Sequence, residues 1–127
     1  MREAYRIGLA LLTLASTACL QPRPAVEVSS SCNNGVSVLA VRVRNVDQSR
    51  GPYGIGVRRT GIGPDVYTGQ ISLSQIDLTI LQDGYIDPSG NQLRIAGQHS
   101  YRATLFRDFG TSRLPLAAGI TQTVPCS

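Results

Sequence analysis

The sequence predicts an all-β fold, an antiparallel sandwich of seven or eight strands. Three observations predict it. From Val26 onward the apolar residues recur with period two and never with a helical period. Clusters of Gly, Pro, Asn and Asp break the chain about every 8–12 residues, the spacing of short strands joined by turns. Within each run apolar and polar residues alternate, so each strand offers one face to a core and the other to water.

The elements follow in order. Residues 7–19, IGLALLTLASTAC, carry no charge and follow Arg2 and Arg6. A positive start, a short apolar core and then small residues make the layout of a secretory signal peptide, expected over residues 1–18. The apolar run is too short for a membrane span, which needs about 20 residues. Ser16-Thr17-Ala18-Cys19 resembles the lipobox of bacterial lipoproteins, although the leucine favoured three places before the cysteine is Ser16 here. That resemblance implies cleavage before Cys19 and acylation of it, so the membrane becomes a partner through an N-terminal lipid. It further implies the outer membrane if the cell is Gram-negative, because Leu20 rather than Asp follows the cysteine. Several acyl chains together give stable anchoring, since each buried methylene contributes about 0.8 kcal/mol. Ser16-x-Ala18 suits the ordinary signal peptidase equally, which leaves a periplasmic or secreted protein as the alternative. Residues 19–25 then hold the anchor cysteine and a spacer with two prolines that tends to polyproline II.

The domain proper is expected over residues 26–127. Residues 26–29 alternate as a first strand, and Asn33-Asn34-Gly35 supplies a turn whose residues tolerate positive φ. The longest strand is expected at 36–46, with Leu39, Val41 and Val43 on one face and Arg42 and Arg44 on the other. After a polar loop closed by Gly51-Pro52, Tyr53, Ile55 and Val57 alternate with Gly54, Gly56 and Arg58. Further strands are expected at 66–73, 76–82, 92–96, 100–108 and about 120–124, with Pro115 and Gly119 bracketing the approach to the last.

Residues 95–103, IAGQHSYRA, make the sandwich more specific. An apolar residue, Ile95, lies six places before Tyr101, Gly97 lies in the tight turn between them, and Ala103 follows two places on. The segment resembles the tyrosine corner of immunoglobulin-like and fibronectin type III domains. The resemblance implies that the Tyr101 hydroxyl bonds back to upstream backbone. It departs from true immunoglobulins, for Ala103 stands where they carry a core cysteine and the chain has no tryptophan.

Three cysteines are an odd number. If Cys19 carries lipid, Cys32 and Cys126 are left as a pair, and an exported chain in an oxidising compartment is expected to bridge them. A free Cys126 or a Cys19–Cys32 bridge are the alternatives. The length fits one domain. The 12 basic side chains are all arginine, and a formal net charge of +4 permits attraction to anionic partners without specifying one.

Little points to chemistry. His99 is the one histidine, it falls in the expected corner turn, and no G-x-S-x-G motif is present. One histidine with two bridged cysteines cannot make a zinc site. Asp83, Asp87, Ser89 and Asn91 offer oxygen ligands, but without EF-hand spacing, and Asp-Pro-Ser-Gly-Asn is first a hairpin turn. Gly54-x-Gly56 lacks the third glycine and the helix of a dinucleotide fold. No catalytic residue, metal or cofactor is therefore expected, nor a nucleic-acid partner. The binding candidate is a face. In such a sandwich the third, sixth and seventh strands share a sheet, and if Val57, Tyr101 and Leu105 point inward then Arg58, Arg102, Thr104 and Phe106 point outward. Arginines around an exposed phenylalanine suit a carboxylate- or phosphate-bearing partner, an envelope protein or an anionic polymer. The expected role is that of a non-catalytic binding or structural module of the cell envelope.

Overall fold

The computed structural model describes residues 23–73 and 76–126; the expected signal peptide and Cys19 lie outside them. The chain forms seven strands in two antiparallel sheets. They are β1 (Ala25–Asn33), β2 (Val36–Arg44), β3 (Tyr53–Arg59), β4 (Val66–Tyr67), β5 (Ile76–Gln82), β6 (Ser100–Asp108) and β7 (Arg113–Gln122). One sheet has the order β1-β2-β5 and the other β4-β3-β6-β7. This is an all-β sandwich, compatible with an immunoglobulin-like fold.

Period-two patterning places the core. Leu39, Val41 and Val43 of β2 meet Ile55 and Val57 of β3 and Tyr101, Ala103 and Leu105 of β6, all essentially inaccessible to water. Asn34 and Gly35 join β1 to β2 as a two-residue turn with φ of 53° and 79°. Positive φ at both central residues gives the turn a twist that matches the flanking strands. Asn45 leaves β2 with φ 59°, which ends that strand at Arg44 rather than at Val46.

The first strand runs over Ala25–Asn33, longer than the expected 26–29, and three further expected strands differ more widely. Residues 92–96 form no strand, although Leu93 and Ile95 are buried in alternation. Their N–H groups are taken individually: Leu93 N–H by the Tyr85 carbonyl, Ile95 N–H by the Asp83 carboxylate and Ala96 N–H by the Tyr101 hydroxyl. Alternation here records burial with no ladder beyond a single bridge from Gln92 to Ile86. The 66–73 run is interrupted after Tyr67, where Thr68 donates its backbone N–H to the Ile55 carbonyl and its hydroxyl accepts from Ile55 N–H, and pairing with β3 resumes only as a single bridge from Ile71 to Tyr53. The last strand starts at Arg113, seven residues before the expected 120, and includes Pro115 and Gly119. Proline is tolerated because β7 is an edge strand and the pairing register shifts between Leu105 and Phe106, opposite Pro115.

Cys32 and Cys126 are joined by a disulfide, with Cα atoms 5.6 Å apart and 94 residues of sequence separation. Tyr101 donates its hydroxyl to the Arg94 carbonyl at 2.7 Å and accepts from Ala96 N–H at 3.0 Å, so its polar tip is satisfied while the ring is buried. Gly97 lies under Pro125, where a Cβ would come within 2.8 Å of Pro125 Cα. The His99 backbone pairs with Thr123 through both its N–H and its carbonyl, which ties the turn to the chain end.

Candidate functional site

The outer face of the four-stranded sheet carries the candidate site. The β3–β6 register sets Arg58 directly opposite Arg102, Gly56 opposite Thr104 and Gly54 opposite Phe106. Alternation along both strands then puts the four non-glycine side chains on the solvent side. They line one open groove of about 450 Å3, walled on the other side by Pro115, Leu116, Ala117 and Ala118 of β7. All four residues picked out in the sequence thus share one surface. Asp65, from the turn before β4, also lines it and was not anticipated.

The electrostatics of this groove are unbalanced. Like charges opposite one another in a sheet repel, and the Arg58–Arg102 pair is such a case. The ion pairs among the described residues, Arg44–Glu27 and Arg50–Asp47, lie elsewhere. Arg102 Nε is buried without a hydrogen-bond partner. A buried donor left unmade costs about 1–3 kcal/mol, so Arg102 is held on this face at a cost. Asp65 supplies one carboxylate to the same surface but makes no ion pair with either arginine.

Beside the groove lies a closed cluster that sequence reasoning missed. Tyr67 of β4 lies over Gly54, where any side chain would collide with its hydroxyl, and Phe106 lies over Gly56, where a Cβ would come within 2.9 Å of the ring. The two rings meet edge to face at 6.0 Å. The Arg113 guanidinium stacks 3.4 Å from the centre of the Tyr67 ring. The Tyr67 hydroxyl donates to Asp108 at 2.7 Å, and Gly110 N–H donates to the same carboxylate. Burial, with the adjoining Asp108 charge, pushes the Tyr67 phenol far above its ordinary range, while the Tyr67 hydroxyl and Gly110 N–H hold the Asp108 carboxyl below its own. The phenol therefore stays protonated and the carboxylate ionised, each stabilising the other. The signal for this cluster was the glycine pair itself: two small residues on one face of a strand leave room for something large above them.

The acidic loop at residues 83–91 is committed to structure. The Asp87 carboxylate accepts from the N–H groups of Tyr67, Ser89 and Asn91 and from the Asn91 amide, and Gly90 N–H closes the turn on the Asp87 carbonyl. Among the described residues no group of three His, Cys, Asp or Glu side chains is arranged to hold a metal ion, and no helix is long and apolar enough to cross a membrane. No protein-family model, curated protein or solved structure matches this chain.

Proposed function

We propose that the chain is a non-catalytic binding module of the bacterial cell envelope, exported, anchored through lipid on Cys19 and engaging an anionic partner on its four-stranded sheet. The sandwich is on this reading a relative of immunoglobulin-like and fibronectin type III domains, an assignment supported by the tyrosine corner at Tyr101 and by the strand order. The observation that carries the binding role is the opposed Arg58–Arg102 pair, unneutralised and bordered by Thr104 and Phe106 in one groove. Arginine offers a planar fork matched to carboxylate and phosphate. The non-catalytic reading is supported by the way the buried ionisable groups Tyr67, Asp87 and Asp108 are consumed by one another and by the backbone. Anchoring is supported by the sequence of residues 1–19 and by the pairing of the other two cysteines. Without the lipid, the same face would serve a freely secreted or periplasmic protein.

The test combines two readouts on the full chain expressed in a bacterial host. Radioactive fatty acid is expected to label the wild type and not Cys19→Ala; label that persists without Cys19 overturns the anchor. Binding of polyglutamate is expected to weaken steeply between low and high salt, because charges exposed to solvent are screened within about 10 Å at 0.1 M. Arg102→Ala is expected to weaken it about tenfold, the loss of one good charged contact. Indifference to both salt and Arg102→Ala rejects the sheet face.

A further inference from the structure

The sandwich is closed on one side, where β1 approaches β7 at Gly119, and open on the other, where β5 is the last strand of its sheet. An edge strand turns half of its backbone donors and acceptors outward. The ladder says which half. Asp83 N–H donates to the Ser37 carbonyl, directly opposite it where the β2–β5 register continues past Gln82. Residues of that parity, Asp77, Thr79 and Leu81, therefore bond to β2, while Leu78 and Ile80 face the open edge. The Leu78 N–H agrees, for it is held at 2.7 Å by the neighbouring Asp77 carboxylate, off the ladder. The Ile80 N–H and the Leu78 and Ile80 carbonyls point the same way. The side chains of these two residues stand on the outer face, 46% and 57% exposed. Lysine, proline or a bulge commonly guards such an edge against further pairing. β5, IDLTILQ, has no basic residue and no proline, and its register with β2 is unbroken.

The strand's own sequence selects what covers it. Turned about a two-fold axis through Thr79, β5 meets a second β5 antiparallel, with Leu78 opposite Ile80 and Ile80 opposite Leu78. These are the residues whose backbone faces outward, so one register pairs the hydrogen bonds and the apolar side chains together. A slip of one residue sets them against residues bonded to β2. An axis through Leu78 shortens the overlap and makes the two Asp77 carboxylates diagonal neighbours, which repel; the Thr79 axis uses the whole strand and keeps them four positions apart. We propose that two copies of the chain associate through β5, joining their three-stranded sheets into one antiparallel sheet. The Leu78 N–H passes from Asp77 to the Ile80 carbonyl of the second copy. The contact strip is about 23 Å long and one sheet thick, well short of the about 800 Å2 per partner of a standard interface. The dimer is therefore weak and reversible, and chains crowded on one surface favour it. That crowding rests on the proposed lipid anchor; the pairing does not.

The test uses the purified full chain carrying Cys19→Ala, so that lipid plays no part and failure of the anchor leaves the result unaffected. Sedimentation equilibrium up to about 1 mM is expected to show a reversible monomer–dimer equilibrium. Thr79 lies on the axis, where opposed residues come within disulfide range, so Thr79→Cys is expected to give a covalent dimer on mild oxidation. Ile120→Cys, equally exposed but on β7, is expected to give none. Ile80→Lys is expected to weaken the dimer at least about tenfold with an unchanged melting temperature, since Ile80 is exposed. Leu78→Glu/Ile80→Lys is expected to restore it, because opposite charges then meet across the axis. A foreign strand on this edge predicts none of that recovery. Monomer at every concentration, no covalent dimer from Thr79→Cys, as much from Ile120→Cys, wild-type association in Ile80→Lys, or no recovery in the double variant overturns the proposal.

Discussion

Asp87 shows how one side chain can organise a loop. It is 5% exposed, yet its charge is met by the backbone N–H groups of Tyr67, Asn91 and Ser89 and by the Asn91 amide. Burial alone raises its carboxyl, and those donors outweigh burial, so the group ionises below its ordinary 3.8. An acid that is stronger in the folded than in the unfolded chain stabilises the fold above the unfolded value. That contribution fades as the pH falls through the folded value. The stability of the domain is therefore expected to be flat near neutrality and to decline from just under pH 4 downward. Asp87→Asn should cost about 1–3 kcal/mol at pH 7, because it sets an amide donor among donors. It should also flatten the acid limb; urea unfolding between pH 2 and pH 7 measures both. From the sequence Asp87 was legible as a turn residue, since Asp-Pro-Ser-Gly-Asn says as much. Its bond to Tyr67, twenty residues away, was not, because local pattern carries no information about which strand a loop will meet.

At the level of elements, β3 shows what alternation conveys and what it hides. Tyr53, Ile55 and Val57 announce the buried face plainly. The other face reads as glycine, glycine and arginine, and its meaning depends on β4 and β6 lying alongside. Gly54→Ala is expected to drive the Tyr67 ring off the strand and break its bond to Asp108. A cost of about 1–3 kcal/mol follows, the usual penalty of forcing extra volume into a packed site. Thermal unfolding checks the loss, and a fall in the Tyr67 phenol's ionisation range, followed by ultraviolet titration, checks its cause. The β1–β2 hairpin was legible because Asn34-Gly35 has few other conformations to offer. The extent of β7 was not. Pro115 and Gly119 read as breaks, whereas an edge strand tolerates proline, and the missing side chain of Gly119 admits the Val26 carbonyl, which would lie 2.6 Å from a Cβ there. That close approach brings β1 of one sheet against β7 of the other.

For the molecule as a whole, the architecture was readable because period-two burial is imposed by two sheets sharing one core, which β2 and β6 report most plainly, whereas β3 is buried on both faces from Tyr53 to Val57. The groove was readable in part. Arg58, Arg102, Thr104 and Phe106 could be assigned to one face by parity, while Asp65 and the β7 wall depend on the turn and the register shift that bring them there. The Cys32–Cys126 bridge encloses nearly all of the domain. In the chain-entropy account, closing a loop of about 100 residues contributes about 4–5 kcal/mol. Cys32→Ser/Cys126→Ser is expected to lose about that much in urea unfolding and to make the midpoint insensitive to reductant, unlike the wild type. The bridge also orients the molecule. β1 runs from Ala25, where the tether enters, to Asn33, beside Cys32, a distance of roughly 25–30 Å at the usual strand rise. The close of β3 and the close of β7 lie at the Cys32 end, because Arg59 is followed by Thr60, bonded to Ser100, which pairs with Gln122 on the way to Cys126. On the proposed anchoring through Cys19, the Cys32–Cys126 bridge sits at the pole of the domain farthest from the attachment, where reductants arriving from the aqueous side meet it first.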